Sequence, residues 1–86
     1  RVMEYLKDPL LGDYYIVIDE YNYSAYKQII PSSGIPYDSC IGHFGHIGGA
    51  LKKIADNMMK NQSYDSIKGY IKQYKSILNK FNENFM

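Results

Sequence analysis

Cys40, His43 and His46 fall at three-residue steps, and Asp38 stands just ahead of them. These side chains are the ones that hold zinc or run nucleophilic chemistry. A structural zinc site takes four ligands, whereas the chain has one cysteine and two histidines. No metal site is therefore expected, and the three are read as a buried cysteine and two turn histidines. A Cys40–His pair oriented by Asp38 would activate a thiol. Side chains alternate between faces along a strand, and catalytic pairs usually come from distant segments. The pair is set aside, and no enzyme is expected. Asp19 and Glu20 are adjacent carboxylates at a strand end, where a solvated turn is the plainer reading.

Four glycines between Gly42 and Gly49 lead into a helix N-terminus, where free amides and the helix dipole favour anions. The Gly-Lys-Ser/Thr ending of a phosphate-binding loop is missing. Backbone packing is preferred to anion binding, and no cofactor is expected. Lys52, Lys53, Lys60, Lys68, Lys72 and Lys75 could contact the phosphates of a nucleic acid. Arg1 is the only arginine, and Arg dominates specific base contacts. A solvated polar face is the preferred reading of these lysines.

The elements that must position these residues follow from patterning. Ile47, Ala50, Leu51, Ile54, Ala55, Met58 and Met59 recur at steps of three and four, which predicts an amphipathic helix over 47–60 with His46 at its N-cap. Tyr64, Ile67, Tyr70, Ile71, Tyr74, Ile77, Leu78 and Phe81 continue the same spacing and predict a second helix over 64–82, capped by Ser63. A short connection makes the two an antiparallel hairpin. Aromatic and β-branched residues predict strands over 13–20, 23–30 and 37–43. Tyr21-Asn22 sits at the first turn, and Pro31 to Pro36 forms the second loop. Residues 1–12 are expected to hold one helical fragment at most, because Pro9 keeps Asp8 out of a helix. Which side of 23–30 is buried stays open.

The expected fold is α+β: a three-stranded antiparallel sheet followed by the two-helix hairpin, in one domain. Ile16, Ile18, Leu51, Ile54, Met58, Ile67, Ile71, Tyr74 and Leu78 are the expected core. Leu51→Ala and Ile71→Ala should each cost about 2 to 5 kcal/mol.

Eighty-six residues make one domain, and a chain this size buries only about 60 to 65 % of its unfolded surface. A thin core would gain from a partner, a homodimer included. Hydrophobic residues at 45 % and charged ones at 22 % exclude a disordered tail. Ten tyrosines suit half-buried sheets and binding surfaces alike. One cysteine excludes an intramolecular disulfide scaffold, and no apolar run is long enough to span a membrane. With no signal-peptide succession after Arg1, and with Met3 as the expected natural start, a cytoplasmic location is expected. Residues 1–49 carry a net charge of −3 and residues 50–81 one of +5. That division can mark a partner surface.

The runs "DYYIVIDEYNYSAYKQI", "YDSCIGHFGHIGGALKKIADNMM" and "SYDSIKGYIKQYKSIL" resemble small uncharacterised accessory proteins of phages and other mobile elements. Those have an Asp-x-Tyr-Asn turn between two strands, a Gly-aromatic-aromatic turn, a Leu-x-x-Ala-Leu helix and a closing Lys-rich helix. The matching positions are Asp19, Tyr21, Asn22, Gly42, His43, Phe44, Ile47, Ala50 and Leu51, with His43 departing from the aromatic. The resemblance implies an accessory or host-takeover role and carries over no catalytic residue. The expected function is a non-enzymatic protein-interaction module, for example an anti-CRISPR-like inhibitor of a host defence system. Its expected partner is a host protein, met through Asp19, Glu20, Tyr21, Tyr23 and Tyr26. Nucleic-acid binding through the lysines is the alternative.

Overall fold

A tight turn over residues 19–22 sets the sheet. In the computed structural model, which describes residues 4–85, strand β2 (Tyr14–Ile18) and strand β3 (Tyr23–Ile29) close on the pair Ile18–Tyr23. The Asp19 carboxylate accepts from the backbone N–H groups of Tyr21 and Asn22, both at 2.8 Å. An Asp at this position folds the chain back on itself by bonding its own backbone. Strand β4 (Tyr37–Phe44) pairs antiparallel with β3.

Among the described residues the sheet has four strands, not three. Strand β1 (Glu4–Leu6) pairs antiparallel with β2, completing the order β1-β2-β3-β4. Three residues are too few to show alternation, so this edge strand left no signal in the sequence. The helical fragment expected before residue 12 is a single 3-10 turn over Pro9–Leu11, capped by Asp8 accepting from the Leu10 N–H at 2.9 Å. The expected natural start, Met3, lies outside the described residues.

Helix α1 (Ile47–Lys60) has the expected bounds, and His46 is its N-cap, with Nδ1 accepting from the Gly49 N–H at 3.0 Å. A Cβ on Gly49 would stand only 3.3 Å from the His46 ring and 3.4 Å from Phe44, so a side chain there would crowd the capping ring. Helix α2 (Ile67–Phe85) starts three residues later than expected. Ser66, not Ser63, accepts from the Gly69 N–H at 3.0 Å. Both serines have capping chemistry. The intervening Tyr64 is held by its hydroxyl on Met59 and its ring edge-on to Tyr70, which keeps 61–66 as the connection.

Both helices lie on one face of the sheet. Ile16 and Ala25 meet Ala50, Leu51, Ile54, Ala55 and Phe81 in a single buried cluster. This settles the side of β3: Tyr23, Ala25 and Lys27 face the helices, while Ser24, Tyr26 and Gln28 face away. Of the expected core, Ile16, Leu51 and Ile54 are buried. Ile18, Met58, Tyr74 and Leu78 are half-buried around them. Ile67 and Ile71 are not core, being 82 % and 42 % exposed. A stripe tells which face of a helix would be buried, not how much of its length has a neighbour to bury it.

Candidate functional site

The sheet face turned away from the helices carries an aromatic row. Tyr5 on β1, Tyr15 on β2 and Tyr26 on β3 stand side by side. Their ring centroids are 6.2 Å and 5.5 Å apart, and the second pair is stacked at 13°. The Lys7 ammonium lies 5.3 Å from the Tyr15 ring centre, a cation–π distance. Register builds the row: Tyr15 is paired directly with Tyr26 across the hairpin. Burial, followed by the Asp38 carboxylate in hydrogen-bond contact, pushes the Tyr15 phenol above its ordinary value. Tyr5, Lys7, Asp13, Gln28 and Asp38 rim a groove of about 200 Å³ beside it, smaller than the usual small-molecule site.

The row runs on into a polar cluster. Tyr26 pairs with Cys40 on β4 and is raised by burial and then by the nearby Cys40 sulfur, with which its hydroxyl is in contact. The Cys40 sulfur lies 3.7 Å from His43 Nε2, and His43 Nδ1 lies 2.6 Å from the Ser24 hydroxyl oxygen. Simple alternation would send Cys40 and His43 to opposite faces. A register shift between Ala25 and Tyr26 corrects that expectation: Tyr26 pairs with Cys40 but Ala25 pairs with Gly42, leaving Ile41 as an extra residue. Such a bulge re-aims the side chains beyond it. Asp38, two residues before Cys40, shares its face as well. Cys40 is exposed, not buried as expected.

The remaining sequence-derived candidates separate. His46 is spent on the α1 cap, well apart in role from Cys40 and His43. Among the described residues no group of three or more His, Cys, Asp or Glu is placed to share a metal ion. The same cap takes the Gly49 amide that an anion at the Gly42–Gly49 turn would need. Asp19 braces the hairpin turn, Glu20 is exposed there, and Tyr21 projects from it at 77 % exposure. Tyr23 packs against the core on the helix side and is thereby divided from Tyr26. Tyr5 and Tyr15 are the site residues that sequence reading missed. Counting three residues outward from the Ile18–Tyr23 pair would have matched Tyr15 to Tyr26.

The lysines divide too. Lys68, Lys72 and Lys75 line one stripe of α2 with Ile71. Lys52 borders a groove with Leu78, Asn79 and Phe81 near the other end of that helix. Lys53 is half-buried, and Lys60 closes α1, where a cation suits the helix dipole. No helix among the described residues is long and apolar enough to cross a membrane. Comparison with protein-family models, curated proteins and solved structures gives no match.

Proposed function

We propose that the protein is a small non-enzymatic interaction module that docks a partner protein on its open sheet face. The observation that carries this reading is the row Tyr5–Tyr15–Tyr26, aromatic and ordered on a face without a helix. Tyrosine offers contact area at low conformational cost, together with a hydroxyl for the rim. The charge balance of the first 49 residues, −3, favours a partner with a basic surface. The finer form of the proposal, an anti-CRISPR-like inhibitor carried by a mobile element and acting on a host protein in the cytoplasm, is supported by the sequence resemblance. Tagged protein passed through a bacterial lysate should retain a stoichiometric protein partner. A Tyr5→Ala/Tyr26→Ala double variant should lose it. Equal retention by the variant would reject the face, and no stoichiometric partner for the wild type would reject the function.

Nucleic-acid binding is the second reading, favoured by the stripe of Lys68, Lys72 and Lys75 on α2. Three phosphate contacts at about −0.9 each give a slope of log affinity on log salt near −2.7. Removing one lysine should flatten the slope by about one unit. A gel-shift series with no binding even at low salt would eliminate it.

A further inference from the structure

We propose that Cys40 is a site of covalent modification, reactive toward small disulfides and soft electrophiles because His43, positioned by Ser24, takes its proton. Three elements of the geometry support this. Cys40 is exposed, so a reagent can reach its sulfur. His43 Nε2 lies 3.7 Å from that sulfur, within hydrogen-bonding range for a thiol. Ser24, only 4 % exposed, holds Nδ1 at 2.6 Å. In the tautomer whose Nδ1–H donates to the Ser24 oxygen, Nε2 carries the lone pair that accepts the thiol proton. The base, its orienting group and the nucleophile form the arrangement that activates a thiol. The Ile41 bulge brings them to one face, while Ile41 itself packs against the core.

The groups facing the sulfur divide by sign. The Tyr26 hydroxyl on β3 touches Cys40 and can donate to a thiolate. Asp38 on the same strand opposes a thiolate, but its carboxylate is engaged by Tyr15, and Asp19 adds a weaker negative field that is felt at Tyr26.

With a disulfide R–S–S–R, the Cys40 proton passes to His43 and the thiolate attacks one sulfur. A Cys40–S–S–R bond forms, the R–S–S–R bond breaks, and the departing thiolate takes the proton back from His43 to leave as RSH. The exchange is redox-balanced, the cysteine being oxidised and the leaving thiol reduced. With iodoacetamide a C–S bond forms, iodide leaves and His43 keeps the proton for the solvent.

Because the chain has one cysteine, every adduct seen by mass spectrometry reports this site. An ordinary thiol is only a few per cent thiolate at pH 7, so full proton transfer leaves room for about thirtyfold. Iodoacetamide should alkylate the wild type about tenfold faster than His43→Gln at pH 7, with Ser24→Ala between them. At pH about 10 the gap should close, since a thiol there ionises without help. Oxidised glutathione should give the mixed disulfide with the wild type at neutral pH, and His43→Gln should form it more slowly. Equal alkylation of the wild type and His43→Gln at pH 7 would overturn the proposal. So would a gap that persists at pH 10, which would mean that His43 only shapes access, or the absence of a glutathione adduct.

Discussion

Helices α1 and α2 carry equally regular apolar stripes, yet the fold uses them unequally. Five residues of α1 are buried: Ala50, Leu51, Ile54, Ala55 and Met59. In the longer α2 only Phe81 is. The difference is one of placement. α1 lies against β3 and β4, where Ala25 and Gly42 keep the sheet surface low enough for a helix to come close. α2 packs on α1 and reaches the sheet only near its C-terminus, where Phe85 joins Leu6, Leu11 and Ile16 around a groove. Its first two turns extend past that contact and leave Ile67 and Ile71 in water. Amphipathicity is a property of a segment, and burial is a property of what the segment meets.

That contrast can be broken most directly by truncation at the two anchors. Phe81→Ala should cost about 3 to 5 kcal/mol and Ile54→Ala about 2 to 5, both read by chemical denaturation. A loss under about 1 kcal/mol for either would mean that the shared core has been misplaced.

A smaller effect sits where the helices touch. Burial first, and then the Asp56 carboxylate of α1, push the Tyr74 phenol from 10.0 up to about 12. The folded state therefore favours the neutral phenol. Its contribution is fully present below pH 10 and is lost as pH rises through the window from about 10 to about 12. Tyr15 and Tyr26, also raised, act in the same direction. Tyr74→Phe should flatten the fall in stability between pH 9 and pH 11.5, approximately, in a urea series. An unchanged slope would mean that neither burial nor Asp56 holds the Tyr74 phenol neutral.

The smallest stability effect is expected at the free end of α2. Ile71→Ala, although it removes a residue from the same stripe as Phe81, should cost less than about 1 kcal/mol. A loss above 2 kcal/mol, approximately, would put this segment back in the core. Hydrogen exchange sharpens the same point without mutation. Amides of 70–75 should open well before those of 54–59, because few apolar contacts hold them closed. Uniform protection along both helices would remove the distinction.

Period and chemistry along the chain determined a good deal. The α1 bounds, the His46 cap, the turn that joins β2 to β3 and the apolar stripe that holds Leu51 and Ile54 are local properties. Each is fixed by residues within a few positions of one another. The start of α2 was less legible, since Ser63 and Ser66 offer the same oxygen and only the packing of Tyr64 on Met59 and Tyr70 selects the second. β1 needed the completed edge of β2 before its three residues could become a strand.

The candidate surface was the least legible part. Tyr26 was found from its type, but its neighbours Tyr5 and Tyr15 come from other strands and meet it only through register. Cys40, His43 and Ser24 converge because one unpaired residue, Ile41, shifts the β4 ladder. Sequence fixes which side chains alternate along a strand. Pairing between strands decides which of them become neighbours, because the hydrogen-bond ladder joins positions far apart in the chain and one bulge reverses the face of every residue beyond it.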